Sequence, residues 1–136
     1  MSPVAEMSEV DALVKEKLVP MRNRVLDALE RKHPQMFSIV NPILANKKNK
    51  FGLQVLENGK LVGEYVLHMG GLRVDEVEFG KLESEVHHPF MGVIKPYVSV
   101  ERKVLEKVLT DEVRLQNDFF QTIGNYLPDV TIHFLH

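Results

Sequence analysis

The chain has 136 residues, 44% of them hydrophobic and 26% charged, with 17 basic against 19 acidic side chains and a formal net charge of −2. That size and apolar fraction suit one ordinary folded domain with its own core, and the near-balanced charge supplies no field to draw the protein onto nucleic acid or an anionic membrane. The lack of cysteine excludes a disulfide framework, a thiolate nucleophile, a thiolate-bound zinc and an iron–sulfur cluster, and it suits a cytoplasmic location.

No apolar run approaches the roughly 18 residues a membrane span needs, and the first residues are acidic where a secretory signal would be basic and then apolar. Ser8 and Asp11 have the spacing of a capping box, and Val10, Leu13, Val14 and Leu18 follow at helical intervals. Pro20 suits the first turn of a second helix with Met21, Val25, Leu26 and Leu29 as its apolar stripe, or else a kink in one longer helix. His33-Pro34 closes these N-terminal helices, which span 8–33. From Met36 to Asn46 the apolar residues are broken by Pro42, which predicts an edge strand or a connector. Asn46-Lys47-Lys48-Asn49-Lys50 carries no interleaved aromatic residue and reads as a solvated loop.

The segment FGLQVLENGKLVGEYVLH holds two β-patterned runs around Asn58-Gly59, the pair best suited to a type I′ hairpin turn. Counting outward from that turn pairs Glu57 with Lys60, Val55 with Val62, Leu53 with Glu64, Gly52 with Tyr65 and Phe51 with Val66. One face then carries Phe51, Leu53, Val55, Val62 and Val66 with Glu64 and His68, and the other carries Leu56, Leu61, Tyr65 and Leu67. Tyr65 would lay its ring over Gly52. After Gly70-Gly71 a third antiparallel strand begins at Leu72, completing a central unit over 51–80, with a bulge near Asp75-Glu76 and enough acidic residues for an exposed edge. The run between Pro89 and Pro96 fits a strand or a buried loop. Ser99 is read as opening the C-terminal helices, which span 99–126, and a closing strand over 129–135 places Val130, Ile132 and Phe134 on one side. The expected fold class is α+β: an antiparallel sheet of about five strands with helices packed on one face.

The glycines form neither a dinucleotide fingerprint nor a phosphate loop, no serine sits in a nucleophile elbow, and no HExxH occurs. No catalytic residue, metal or cofactor is therefore expected. His87 and His88 would point to opposite faces of an extended chain. Glu64 and His68 share a face but stand about 13 Å apart at ~3.3 Å per residue, too far for a dyad, so they read as polar anchors in an apolar pocket or as rim residues. Met36, Met69 and Met91, with Phe37, Phe79, Phe90, Phe119 and Phe120, are side chains that fill a core or line an adaptable cavity.

The amphipathic helix before Pro34, the hairpin from Phe51 to His68 with its ENGK turn, the strand from Leu72 and the helix from Ser99 follow one another in an order that resembles the sterol carrier protein domain family. The resemblance covers most of the chain as an order of elements. It implies helices laid over a five-stranded sheet around an apolar tunnel for lipids, and it brings no catalytic residues.

These readings converge on a non-enzymatic binding module for a hydrophobic or amphipathic, lipid-like small molecule. Its site would be formed by Phe51, Leu53, Val55, Val62, Glu64, Val66, His68, Phe119 and Phe120. The alternatives are a homodimer through the face bearing Leu56, Leu61, Tyr65 and Leu67, and, third, a small enzyme using Glu64 and His68 or His87 and His88.

Overall fold

A computed structural model describes residues 8–44, 48–88 and 90–136, with the side chains of 41–44 outside the description. Ser8 caps the first helix: its hydroxyl accepts from the Asp11 amide at 3.0 Å while the Asp11 carboxylate accepts from the Ser8 amide, the expected capping box. Helix α1 (Glu9–Ala12), a π-helical segment (Leu13–Leu18) and helix α2 (Val19–Lys32) run on without leaving helical geometry. The wider π turn falls just before Pro20, whose missing N–H and ring would otherwise break the ladder. The two predicted helices are thus one continuous rod.

Residues 36–46 differ from expectation, because most of them belong to helix α3 (Pro34–Leu44). Pro34 opens that helix at the position where a missing N–H costs nothing, the Ser38 hydroxyl donates to the Gln35 carbonyl, and Phe37 is buried. Ala45, Asn46 and Lys47 lie outside the described residues. Lys48, Asn49 and Lys50 are not a loop but the start of a strand, and Asn49 is buried there with its side-chain oxygen Oδ1 accepting from the His87 amide at 2.9 Å.

The main sheet has five strands, β1 (Lys48–Glu57), β2 (Lys60–Gly70), β3 (Arg73–Phe79), β6 (Pro96–Glu101) and β7 (Val130–Phe134), in the order β3-β2-β1-β6-β7. A small hairpin of β4 (Val86–His88) and β5 (Gly92–Ile94) forms a separate two-stranded sheet beside the start of β1. The sheet is mostly antiparallel, but β1 and β6 run parallel, so the wholly antiparallel sheet is corrected. Ser99 does not open a helix: it lies in β6, where its hydroxyl meets the Gln54 side chain of β1 at 3.2 Å. Glu101 ends that strand with its carboxylate on the amides of Asn58 and Gly59, and the chain then enters α4 (Arg102–Thr110), α5 (Glu112–Asn117) and α6 (Phe119–Tyr126).

The hairpin turn has positive φ at both Asn58 and Gly59, as a type I′ turn requires. Beyond the first two pairs, however, the predicted register fails. Leu56 faces Leu61, but Val55 faces Gly63, which leaves Val62 as an inserted residue, and Leu53 then faces Tyr65 and Phe51 faces Leu67. A slip of one residue transfers each later side chain to the other face. Phe51, Leu53 and Val55 consequently share a face with Tyr65 and Leu67, while Glu64, Val66 and His68 are on the reverse. The expected bulge at Asp75 is present opposite His68 and Met69, and β3 is an edge strand as its acidic residues implied.

One buried cluster joins Leu53, Val55, Tyr65, Leu67, Val74 and Val100 of the sheet to Val10, Leu13 and Val14 of the first helix and Leu105 of α4. A second joins Met21 and Val25 of α2 to Leu115 of α5, with Phe119 and Ile123 of α6 packed against it. Tyr65 is the largest fully buried side chain. Its ring lies over Gly63, not Gly52, so that a Cβ built on Gly63 would stand 2.3 Å from the Tyr65 hydroxyl. Gly63→Ala is therefore expected to cost about 1–3 kcal/mol through overpacking. Gly124→Ala, in a helix with nothing near the added carbon, is expected to gain about 0.5–1 kcal/mol. Urea denaturation of the two variants beside the parent checks both signs.

Candidate ligand cavity

Between the two clusters lies a cavity of about 420 Å³. Its sheet wall is Phe51, Leu53, Leu67, Met69, Val98, Val100 and Val130, and its helical wall comes from α2, α4, α5 and α6, including Met21, Val25, Val108, Leu115 and Phe119. Close-packed interiors leave few voids larger than a water molecule, whereas this volume falls within the range of small-molecule pockets. Among the described residues the only charged side chain on the wall is Arg22, and the only other polar one is Tyr126.

The Tyr126 hydroxyl donates to the Asp111 carboxylate, with the Lys107 carbonyl 3.5 Å away. That hydrogen bond, followed by burial, raises the phenol above its ordinary pKa, so the hydroxyl stays protonated at physiological pH. Arg22 reaches from α2 to the turn between β2 and β3, where Nη1 donates to the Leu72 carbonyl. One residue on, the Asn23 amide group pairs with both the N–H and the carbonyl of Val74, at 3.2 and 3.3 Å, taking the place of a neighbouring strand. Asp27 and Arg73 add an ion pair between the same two elements. On its other side α2 is held to α5 by a two-pronged contact from Arg24 to Glu112, at 2.7 and 2.8 Å.

Of the predicted site residues, the structure brings Phe51, Leu53 and Phe119 together on the cavity wall. Val55 is fully buried in the first cluster and does not reach the cavity. Val62 and Phe120 are exposed. Glu64, Val66 and His68 are corrected to the reverse face, for the register reason given above. Val66 is buried there, beside Gly52 and the crossing segment at Leu82 and Glu83. His68 contacts Glu78, and the ion pairs continue through Lys81 and Glu83 to Lys50. The wall residues missed from sequence include those of α2, α4 and α5, Ile123 and Tyr126 of α6, and Leu67, Val98, Val100 and Val130 of the sheet. The apolar stripe of α2 was legible, but not which part of it stands off from the sheet.

The surfaces behind the alternatives change as well. Tyr65 and Leu67 are buried in the first cluster while Leu61 is exposed, so the four residues expected to form a homodimer face do not share one surface. Among the described residues no group of three potential metal ligands occurs, and no helix is long and apolar enough to cross a membrane. The His88 Nδ1 accepts from the amides of Phe90 and Met91 in the β4–β5 turn, which places the neutral ring's proton on Nε2. Of the remaining candidate cavity residues, Met69 lines the wall, Phe79 packs edge-on against Tyr65, and Phe90 and Met91 are exposed.

The hydrogen bond from Arg24 holds the Glu112 carboxyl below its ordinary value of 4.5. As acid is added the unfolded chain binds this proton first. The contribution is therefore complete above the ordinary value and is lost as pH falls through the lower folded one. Glu112→Gln should reduce stability at neutral pH and flatten its decline below about pH 5, as read from urea denaturation over a pH series. No family model, curated protein or solved structure matches the chain, so a functional reading rests on this geometry.

Proposed function

We propose that the protein is a non-enzymatic binding module for a hydrophobic or amphipathic small molecule, held between the sheet and a layer of helices on one of its faces. The observation that carries this reading is the apolar cavity separating the two buried clusters. The pocket is partly open to solvent, so without a ligand its apolar wall faces water, and covering that wall is favourable by about 25 cal/mol per Å² of apolar surface. Water is a poor occupant, because apolar cavities offer it too few hydrogen-bond partners. An apolar ligand turns burial of the same wall into binding energy.

The proposed class agrees with the expected lipid-like ligand, while the residues that carry it differ. Val98, Val100, Val104, Val108 and Val130 are short side chains facing a space that longer ones would fill. The test is titration of the full chain with Nile red, a neutral dye that brightens in apolar surroundings, together with native mass spectrometry of the freshly purified protein. Val98→Phe should weaken dye binding at least about tenfold by occupying the cavity while circular dichroism stays unchanged. Val130→Phe provides the same test from the neighbouring strand. Val113→Ser, at an exposed position outside the wall, should bind as the parent does. A parent protein that neither brightens the dye nor carries an apolar molecule, or cavity variants that bind like Val113→Ser, would overturn the proposal.

A further inference from the structure

We propose that Arg22 receives the head group of the ligand, and that the ligand is a single-chain carboxylate whose hydrocarbon lies along the apolar wall. This rests on the cavity being a ligand site. Among the wall residues Arg22 alone is charged, and the Tyr126 hydroxyl is already committed to Asp111. Arg22 is half-buried, and a guanidinium does not shed its charge, so the part of it taken out of water is compensated only by an anion or by hydrogen-bond acceptors.

The protein supplies little of either. Among the described residues Arg22 has one acceptor, the Leu72 carbonyl, and no carboxylate within ion-pair distance. Arg24, Arg73, Arg102 and Arg114 contrast with it, since each holds a carboxylate. Burial accordingly pulls the Arg22 pKa down, with no opposing anion. The contact to Leu72 uses Nη1, and Nε and Nη2 make no hydrogen bond among the described residues. Those two groups form one edge of the guanidinium, the edge that takes a carboxylate through two parallel N–H···O bonds. Leu18, Met21, Val25 and Leu26 of the same helix line the wall beside Arg22, and Met69 lines it from β2. A ligand anchored at Arg22 therefore meets hydrocarbon immediately beyond its head group. A neutral amphiphile would leave the guanidinium uncompensated, and a cationic one would be repelled.

The experiment compares three probes that share a chain and differ in head charge: dodecanoate, dodecanol and dodecyltrimethylammonium. Each is measured on the full chain at neutral pH, below its micelle concentration, by displacement of Nile red. In the parent, dodecanoate should bind about 10- to 100-fold more tightly than dodecanol, the span expected for hydrogen bonds to a charged group, and the cation most weakly. Arg22→Gln should bring dodecanoate to the level of dodecanol and leave dodecanol unchanged. Arg22→Lys, which keeps the charge but lacks the planar fork, should fall between the two.

Equal binding of dodecanoate and dodecanol by the parent would overturn the anchor while leaving the cavity reading intact, as would preference for the cation. An Arg22→Gln variant that loses both ligands alike would also overturn it, by showing that Arg22 only pins the Leu72 turn. If no probe displaces the dye, or the dye does not bind, both readings fall together. Should Arg22→Gln not fold, the charge preference of the parent decides the matter alone.

Discussion

A tyrosine sealed from solvent must give its hydroxyl an acceptor and its ring a flat surface, and Tyr65 obtains the first from Asp11 and the second from Gly63. The hydroxyl donates to Asp11 Oδ1 at 2.7 Å, while the other oxygen of that carboxylate accepts from the Ser8 amide. One side chain thus closes the helix cap and binds the start of the first helix to the middle of β2. Burial, reinforced by Asp11, raises the Tyr65 phenol pKa, which keeps the hydroxyl a donor. The ring needs Gly63 beneath it, and Gly63 can face Val55 only because Val62 is looped out of the ladder. The sheet's choice of faces downstream of the turn follows from satisfying this one buried polar group.

The cavity arises because α2 is fastened at its edges by polar contacts and not by packing across its whole apolar face. Arg22, Asn23 and Asp27 fix it to the β2–β3 turn, and Arg24 fixes it to α5, with Lys32 donating to the Asn117 carbonyl at 2.8 Å. Between those ties half of the side chains presented by the facing strands and α4 are valines. Directional contacts set the separation, short side chains fail to fill it, and the core remains as two clusters. The cost of a void depends on how far its surroundings relax inward, and these ties oppose that relaxation.

Much of the local structure was legible because its causes are local. The Ser8–Asp11 capping box, the Asn58-Gly59 turn, the bulge at Asp75, the helix over Phe119–Tyr126 and the closing strand at Val130–Phe134 each depend on residues a few positions apart. The errors share an opposite cause. Pro42 suggested a strand or connector where Pro34 had already started a helix. Ser99 has the chemistry of a cap, yet Gln54, 45 residues earlier, engages its hydroxyl within the sheet. Counting pairs outward from the hairpin turn assumed an unbroken ladder, and that placed Glu64, Val66 and His68 in the candidate site. Phe51, Leu53 and Phe119 do line the cavity, since their placement did not depend on the bulge.

The sequence by itself determined the class of most elements, the type I′ turn and the absence of the recognised nucleotide, serine-hydrolase and HExxH motifs, since periodicity, caps and turn residues act over one or two turns of chain. Tertiary structure alone decided which hairpin face meets the helices, that β6 joins β1 in parallel, and that Arg22, with no carboxylate partner among the described residues, lies on the wall of an apolar cavity. Those outcomes depend on partners far apart in sequence, Tyr65 with Asp11, Gln54 with Ser99 and Arg22 with Leu72. No local pattern records whether a buried polar group will find its acceptor across the fold.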